Sequence, residues 1–447
     1  SAAEHDVTLT LSGGRADDTF TIDDANAIVA VTVNAQDQLS DVTIDVGAAD
    51  QDINMGSGDD NVVFITAGTL TDDDDVNGGT GDDTITATFQ ADTNDDLNIS
   101  AVEILQIASD AAVTVDVSES DEIHTVNLMS DQHEHNGVAG ANTDVINLIA
   151  DNISTINLVT TATVNGDTYN GLTITDEDAD NPAALTINVA DAEDDAVTVG
   201  VITLDNDTTS LTINNNDDDN ATGNSTTFNE IAAAALTTLV ITDDVDDADG
   251  DAVEETIIDL DETVALASVD ASAAFGGVQL EIDALADNAT INLVQSDDLE
   301  DDAQDDLDIT FVGDTGANGV TITGGDNVEE ITITNGDMDN LTINAGGGID
   351  VVVLSGMTGD NVEINGGAGA DNLTGSNSGD EINGGAGADT ITGGLGADTL
   401  TGDADADDFV LTSGLAMDTI TDFTVDSDQI HIDLSEINSA NGVILNK

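Results

Sequence analysis

The sequence contains no cysteine and no tryptophan, and it has one proline and one tyrosine among 447 residues. Without cysteine, no disulfide can stabilise the fold, so a large folded chain needs another stabilising element, for which calcium is suited. A core drawn from 2% aromatic residues must be thin and aliphatic, which favours a narrow solenoid over a globule. No run of about 18 apolar residues occurs, so no membrane insertion is predicted.

Basic residues are nearly absent. Arg15 and Lys447 stand against 94 acidic residues, which gives a formal net charge of −92. Such a chain repels itself, so we expect folding to depend on cations. The same charge excludes nucleic acids and anionic membrane surfaces as direct electrostatic partners. The chain begins at Ser1 without methionine and shows no signal peptide, so we expect a processed or trimmed N-terminus.

Hydrophobic residues make up 39% of the chain and fall in short alternating runs, which predict strands rather than disorder. Helical signal is weak, and residues 230–239 and 262–275 are the two candidates for a short helix. Many of the strand segments place asparagine beside a core residue, which is explained either by a stacked side-chain ladder or by simple polar and apolar alternation. The asparagines concerned are Asn127, Asn147, Asn157, Asn188, Asn214 and Asn292.

Residues 366–410 divide into five consecutive repeats of nine residues: GGAGADNLT, GSNSGDEIN, GGAGADTIT, GGLGADTLT and GDADADDFV. The first six residues of each predict a tight glycine turn, and the last three predict a short strand whose middle residue points inward. A flexible linker needs no apolar residue at every ninth position, so the pattern favours a parallel β-roll. The inward residues are Leu373, Ile382, Ile391, Leu400 and Phe409.

The sixth residue of every repeat is aspartate. Calcium prefers about six to eight oxygen ligands, and a glycine-rich turn exposes carbonyl oxygens that carboxylates of a neighbouring turn can complement. We therefore predict calcium sites in these turns. The predicted metal-site residues are Gly366, Gly367, Gly369, Asp371, Gly375, Asp380, Gly384, Gly385, Gly387, Asp389, Gly393, Gly394, Gly396, Asp398, Gly402 and Asp407.

Three isolated copies of the repeat occur near the N-terminus: GGRADDTFT from Gly13, MGSGDDNVV from Met55 and GGTGDDTIT from Gly78. Calcium binding is predicted here too, with a hairpin turn carrying a solvated acid pair as the alternative. The predicted metal-site residues are Asp18, Asp60, Gly78, Gly79, Gly81 and Asp83.

Other acidic and histidine-containing segments give weaker signals. The acidic runs at residues 72–75 and 243–251 are interpreted as solvated loops that can hold calcium weakly. The pair His133 and His135 is interpreted as loop surface rather than a metal site. The segment GSNSG has Asn377 where a nucleophile elbow needs serine, and sugar-stacking aromatics are scarce. We therefore predict that the chain is not an enzyme and has no catalytic residues.

The apolar pattern continues upstream of the repeats. Successive inward residues are predicted ten or eleven positions apart at Ile309, Val320, Ile331, Leu341, Val352 and Val362, and the spacing then tightens to nine. This indicates one all-β parallel solenoid that ends in a calcium-binding β-roll. We predict four regions: an N-terminal β region (1–95), a strand-rich region with acidic loops (96–305), a solenoid continuing into the β-roll (306–410) and a C-terminal β cap (411–447).

The repeats at residues 366–410 resemble the RTX (repeats-in-toxin) family, and the segment DTITDFTVDSDQIHIDLSEI that follows is similar to the segment after such repeats. The resemblance implies type I secretion and folding on external calcium. It assigns calcium to the five aspartates with their turn glycines. The whole acidic chain, rich in threonine, asparagine and aspartate, also resembles RTX-type bacterial surface-layer proteins.

These observations lead us to expect an extracellular or cell-surface structural protein that assembles with copies of itself into a lattice or filament through calcium-bridged contacts. A cell-surface polysaccharide is a further expected partner, through a part not recognisable in the sequence. The alternatives are a calcium-rigidified adhesin or matrix-binding segment, and the tail of a secreted RTX hydrolase. A flat regular threonine array would favour ice binding, but the sequence shows no fixed threonine offset.

Overall fold

The fold was analysed in a computed structural model. The structure describes residues 7–12, 18–21, 31–37, 41–46, 50–64, 68–90, 97–109, 112–120, 122–129, 145–159, 167–175, 183–191, 197–217, 225–243, 255–260, 266–274, 277–282, 285–293, 307–311, 316–326, 328–333, 336–412 and 416–432.

These residues form short strands joined by turns, and no helix is present among them. The strands are β1 (Val7–Ser12), β2 (Asp18–Thr21), β3 (Val31–Asp37), β4 (Val42–Val46), β5 (Gln51–Asn54), β6 (Asn61–Phe64), β7 (Asp75–Asn77), β8 (Thr84–Phe89), β9 (Asn98–Ser100), β10 (Ile104–Ser109), β11 (Val113–Asp116), β12 (Thr125–Met129), β13 (Ile146–Ile149), β14 (Thr155–Val159), β15 (Asp167–Thr175), β16 (Ala184–Asp191), β17 (Val197–Thr203), β18 (Ser210–Asp217), β19 (Ser225–Ala232), β20 (Thr238–Asp243), β21 (Glu255–Leu260), β22 (Leu266–Ala273), β23 (Gly277–Ile282), β24 (Leu285–Asn292), β25 (Leu307–Phe311), β26 (Thr321–Thr323), β27 (Glu329–Ile333), β28 (Thr342–Gly347), β29 (Val351–Val353), β30 (Glu363–Ala368), β31 (Asn372–Thr374), β32 (Glu381–Ala386), β33 (Thr390–Thr392), β34 (Thr399–Ala404), β35 (Asp408–Leu411), β36 (Thr419–Ile420) and β37 (Gln429–Ile432).

The chain divides into two compact units, Ser1–Asp219 and Asn220–Lys447. Within each unit the strands pair in parallel with strands two places away in the chain, so successive strands lie in different sheets. We call the segment between two paired positions a coil. This arrangement is a parallel β-solenoid, as predicted. The four predicted regions are not tested by the division into units and stay a prediction.

The first unit contains three runs of paired strands. Strands β1, β3, β5, β7 and β9 form one sheet, the even-numbered strands β2 to β18 form a second, and β11, β13, β15 and β17 form a third. The second sheet turns one column of aliphatic side chains inward, and all of them are buried. That column is Ile44, Val62, Ile85, Leu105, Val126, Ile156, Ile187 and Ile213.

The second unit contains two runs of paired strands, the even-numbered strands β20 to β36 and the odd-numbered strands β19 to β37. The inward residues predicted for the five repeats, Leu373, Ile382, Ile391, Leu400 and Phe409, are all fully buried. The upstream residues Val320, Ile331, Leu341, Val352 and Val362 are buried as well, so the predicted apolar ladder is confirmed at these positions. Ile309 pairs with Ile331, but its side chain lies outside the described residues.

Both helix predictions are wrong. Residues 230–239 span the end of β19, a turn in which the Leu236 amide donates to the Ala233 carbonyl, and the start of β20. The described part of residues 262–275 contains β22. Alanine has the highest intrinsic helix propensity, but this preference is worth less than about 1 kcal/mol per residue, and here the neighbouring strands supply backbone hydrogen bonds and a buried face. Tertiary pairing therefore overrides the local alanine preference.

Four of the six asparagines form the ladder that the sequence left open. Nδ2 of Asn157, Asn188 and Asn214 each donates to Oδ1 of the asparagine one coil earlier, at 2.7, 2.7 and 3.2 Å. The row begins at Asn127 and runs over β12, β14, β16 and β18. Asn147 lies on the other sheet between Thr114 and Thr173, and Asn292 donates to Asp270.

The outward face of the even-numbered strands from β4 to β18 carries two stacked columns of half-buried side chains. On the even-numbered strands β12, β14, β16 and β18 the columns are threonine and asparagine, in the order Thr-x-Asn on each strand. The expectation of no fixed threonine offset is therefore wrong for this face. The full columns contain one charged residue, Asp45. They are Thr43, Asn61, Thr84, Ile104, Thr125, Thr155, Thr186 and Thr212, and Asp45, Val63, Thr86, Gln106, Asn127, Asn157, Asn188 and Asn214.

Within the described part of the chain, no helix is long and apolar enough to cross a membrane.

Candidate metal sites

The glycines of the C-terminal repeats hold backbone conformations that L side chains rarely adopt. Gly367 and Gly369 have φ of +114° and +145°, and the second and fourth residues of the third and fourth repeats repeat these values closely. In the fifth repeat Asp403 and Asp405 take the same two positions with φ of +66° and +84°. Aspartate tolerates the left-handed region better than most residues, so the turn is retained without glycine.

The first glycine of each repeat leaves space for the acid of that repeat. A Cβ added at Gly366 would lie 2.5 Å from Oδ2 of Asp371 and 2.6 Å from the carbonyl oxygen of Gly384. The added atom would meet the acid of its own repeat in the same way at Gly375, Gly384, Gly393 and Gly402. The turn thus brings a carboxylate oxygen against a backbone carbonyl, the two oxygen types that calcium prefers.

The acids of successive coils are joined by hydrogen bonds. The backbone amide of each donates to Oδ1 of the acid one coil further along the chain, which fixes the orientation of every carboxylate. We call these rows acid columns. The distances are 2.9 Å from Asp371 to Asp389, 3.1 Å from Asp389 to Asp407, 3.0 Å from Asp380 to Asp398 and 3.2 Å from Asp398 to Asp418.

The second oxygen is buried and has no hydrogen-bond partner in three of these acids, Asp371, Asp389 and Asp398. Each of the three residues is at most 2% exposed. An unpaired buried anionic oxygen is costly, and the described residues contain no lysine or arginine to neutralise it. These oxygens therefore fit a bound divalent cation. No group of three or more acidic, histidine or cysteine side chains gathers in the described ranges, so backbone carbonyls would complete the ligand set.

Burial makes the ionised form of these acids less favourable, and their pKa values are raised as a result. Burial raises the pKa of Asp371 and of Asp389 to about 6, and burial with the facing Asp418 raises the pKa of Asp398 to about 7. Burial also raises the pKa of Asp407. A bound cation would favour the ionised form and reverse these shifts.

The second repeat differs from its neighbours. Ser376 stands at its second position, where the others have glycine or Asp403, and its hydroxyl donates to Oδ1 of Asp380 at 2.8 Å. Its backbone amide donates to Oδ2 of the same carboxylate at 2.6 Å. Both oxygens of Asp380 are therefore already paired within the protein. Burial still raises the pKa of Asp380 to about 6.

The N-terminal copies differ among themselves. Asp83 matches the C-terminal geometry: it accepts the Asp60 amide at 2.7 Å through Oδ1, its Oδ2 is buried without a partner, and burial raises its pKa to about 7. Gly79 and Gly81 have φ of +113° and +143°, and a Cβ at Gly78 would meet Oδ2 of Asp83.

Asp60 uses both carboxylate oxygens to accept backbone amides, from Val42 at 2.8 Å and from Gly56 at 3.3 Å. Burial raises its pKa. Asp18 begins β2 as the repeat pattern predicts, but its side chain and residues 13–17 lie outside the described residues. Calcium binding by these two acids stays a prediction.

The structure adds an acid that the sequence interpretation assigned to a solvated loop. Asp74 is buried, whereas Asp72, Asp73 and Asp75 are not. Its carboxylate accepts the amides of Gln51 and Thr71, both at 2.8 Å, and burial raises its pKa to about 6. Counting back nine residues from the repeat at Gly78 places Asp74 at the sixth position of residues 69–77. Its position in the nine-residue repeat therefore predicts Asp74 as a site residue, whereas the glycine content of residues 69–77 does not.

The acid columns also extend beyond the five repeats. Asp428 accepts the Asp407 amide at 3.3 Å, and Glu329 and Asp350 precede Asp371 in the same row. The pair His133 and His135 and the acidic residues 244–251 lie outside the described residues.

Comparison with known proteins gives one match. The family model of the RTX calcium-binding nonapeptide repeat matches four copies, at residues 69–93 and 374–409. No curated protein and no solved structure matches the chain. The first matched segment contains Asp74 and Asp83, and the second contains the acids from Asp380 to Asp407. The chain therefore carries RTX calcium-binding repeats near its beginning and near its end, and it binds several calcium ions.

Proposed function

We propose that the protein is an extracellular, calcium-dependent structural protein that assembles with copies of itself into a surface layer or filament. RTX repeats are characteristic of proteins secreted by type I systems, which supports a location outside the cell. The acids of the repeat turns bind calcium and stabilise each coil. Contacts between copies then produce the assembly.

The observation that carries this proposal is the outward face of β4 to β18, which we call the Thr/Asn face. In a chain with a net charge of −92, this face presents one acid, Asp45, in its two columns. Copies that meet through the acidic loops bring carboxylates together, whereas two Thr/Asn faces bring hydroxyl and amide groups together. The face is also regular, because its side chains stand in register on parallel strands spaced about 4.8 Å apart.

Calcium has two roles in this proposal. Sites in the repeat turns are buried and preformed, so they fill first. Exposed acids, such as Asp72, Asp73 and Asp75, hold calcium more weakly and reduce repulsion between copies. Folding should therefore be complete at a lower calcium concentration than assembly.

A calcium titration that follows circular dichroism and light scattering on the same samples tests the proposal. We expect β structure to form first from an EDTA-treated sample and scattering to rise at higher calcium. Thr155→Asp with Thr186→Asp should suppress scattering while leaving the dichroism intact. Thr175→Asp, an exposed threonine of the other sheet, is the matched control. A folded protein that stays monomeric at millimolar calcium and high concentration would contradict self-assembly.

The second candidate is a calcium-rigidified adhesin that binds an ordered external surface, such as ice or a polysaccharide. The repeated Thr-x-Asn order on β12 to β18 favours it, because it places hydroxyl and amide groups in a regular two-dimensional array. Under this candidate the wild type remains monomeric and sediments with ice or polysaccharide. The same two aspartate substitutions would abolish that binding.

A further inference from the structure

Two acids that lie between the two matched segments occupy the repeat's structural position. Glu329 is the sixth residue counted from Gly324, and Asp350 is the sixth counted from Ala345. Neither turn has the glycine-glycine-x-glycine pattern: the first reads GGDNVE and the second reads AGGGID. Both lie outside residues 69–93 and 374–409. They were absent from the predicted metal-site residues.

Their hydrogen bonds match those of the repeats. The Glu329 amide donates to Oδ1 of Asp350 at 3.0 Å, and the Asp350 amide donates to Oδ1 of Asp371 at 2.9 Å. The corresponding distance from Asp371 to Asp389 is also 2.9 Å. The acid column of the β-roll therefore continues for two more coils in the N-terminal direction.

Both side chains are buried and each has an oxygen without a partner. Glu329 and Asp350 are 1% and 0% exposed. Oε1 of Glu329 accepts the Gly325 amide at 2.8 Å, which leaves Oε2 with no hydrogen-bond partner. Oδ2 of Asp350 has none either. Burial, followed by the neighbouring Asp350 carboxyl group, raises the pKa of Glu329 to about 9, so one proton lies between the two acids when no cation is bound. No described side chain offers a compensating positive charge, and a divalent cation would take the place of that proton.

The backbone around this pair is also built like a repeat turn. A Cβ added at Gly324 would lie 2.9 Å from the Glu329 carboxyl carbon and against the Ala345 carbonyl oxygen, as one at Gly366 would meet Asp371 and the Gly384 carbonyl. Gly346 and Gly348 have φ of +115° and +110°, in the left-handed region used by Gly367. The Gly347 amide donates to the Gly325 carbonyl at 2.7 Å and joins the two turns.

We propose that the turn residues 324–326, 328–329 and 345–350 form a further divalent-cation site, with Oε2 of Glu329 and Oδ2 of Asp350 as its carboxylate ligands. Calcium is the cation that suits it, because the donors are carboxylates next to backbone carbonyls and include neither nitrogen nor sulfur. The site places a cation in the solenoid upstream of the nonapeptides. Calcium then stabilises coils that the repeat pattern does not reach.

The number of calcium ions bound per chain tests this site. Wild type, Glu329→Gln, and the control Glu330→Gln are saturated with calcium, dialysed to equilibrium and analysed for bound metal. Glu330 is the exposed neighbour on the same strand. We expect Glu329→Gln to bind one ion fewer than wild type and Glu330→Gln to bind the same number. Equal numbers in all three proteins would overturn the proposal.

A second measurement needs no variant and covers the case in which Glu329→Gln fails to fold. Crystals of the wild-type protein grown in calcium and soaked in terbium would give an anomalous peak at every calcium site. We expect a peak between the carboxylates of Glu329 and Asp350. Peaks at the nonapeptide turns with none at this pair would refute the further site and leave the RTX sites unaffected.

Discussion

The backbone amide of Asp371 donates a 2.9 Å hydrogen bond to Oδ1 of Asp389, the acid one coil later. This bond occupies one oxygen of Asp389 with the protein itself and leaves Oδ2 buried without a partner. The ligand is thus oriented before any cation arrives, at the cost of an uncompensated buried charge. Cation binding to the folded form then stabilises it by mass action.

Replacing Asp389 by asparagine should weaken calcium binding at that turn. The amide keeps a similar size and an acceptor oxygen but loses the charge, so we expect roughly tenfold lower affinity. Isothermal titration with calcium measures the effect. The control is Glu381→Gln, which removes an exposed outward carboxylate from the same group of repeats. Superimposable titrations of the two variants would show that Asp389 is not a ligand.

Stability should depend on pH in opposite ways with and without calcium. In EDTA, folding raises the pKa of Asp371 and Asp389 from 3.8 to about 6, and that of Asp83 and Asp398 from 3.8 to about 7. The folded state therefore holds protons that the unfolded state releases. The stability that these protons contribute is complete below about pH 4 and is lost as pH rises through 6 to 7.

Thermal unfolding in EDTA should consequently occur at higher temperature at pH 5 than at pH 8. In saturating calcium the order should reverse, because the cation needs ionised carboxylates. Melting curves at the two pH values, with and without calcium, check both predicted directions of the change in unfolding temperature. The same pH dependence in both buffers would argue against the buried acids as calcium ligands.

Removing the Ser376 hydroxyl should strengthen calcium binding at the second repeat. In the wild type this hydroxyl donates to Oδ1 of Asp380, so a cation must compete with it. Ser376→Ala removes that donor, and the calcium-free protein should lose about 1 kcal/mol of stability. The control is Ser378→Ala, whose hydroxyl donates to the Thr358 carbonyl. Denaturation in EDTA and calcium titration give the two readouts, and identical behaviour of the two variants would contradict the expectation.

Truncating the core of the β-roll should be costly even in calcium. Ile391 is fully buried between Leu373 and Phe409, so Ile391→Ala should lower the free energy of unfolding by about 2–5 kcal/mol. Thr390→Ala changes the neighbouring outward residue and should stay within about 0.5 kcal/mol. Urea denaturation in saturating calcium compares them. Equal midpoints would show that the inward assignment of Ile391 is incorrect.

Where every local signal agrees, the sequence is sufficient to predict the structure. Around Asp371 the glycines, the acid and the inward Leu373 all point to the same turn and strand, and the structure places them so. The helix predicted at residues 230–239 fails because alanine carries little information about pairing. Ile231 and Leu239 are buried on strands, and the hydrogen bonds that hold those strands come from distant residues.

Three buried acids are absent from the predicted metal-site residues for a different reason. Asp74, Glu329 and Asp350 occupy sixth positions that the register of the neighbouring strands reveals, although their turns depart from the glycine-glycine-x-glycine pattern. A search for the full pattern passes over Glu329 and Asp350, because Asn327 and Ala345 stand where the pattern has glycine. Knowing which strand lies beside which was required to find them. The apolar ladder already contained part of this information, since it numbers the coils through Ile331, Val352 and Leu373.

Coil length varies along the chain while the strand pairing does not. One coil takes 18 residues between Asp371 and Asp389 but 30 between Asn127 and Asn157. The acid columns join coils of 18, 20, 21 and 23 residues, so a coil can gain a few residues while the bond from amide to carboxylate is kept. In the long coils twelve extra residues are accommodated while the asparagines still meet at 2.7 Å. Coil length therefore varies most along the asparagine row, where coils of 26 to 31 residues are joined, and least along the acid columns, where coils keep to 18 to 23 residues.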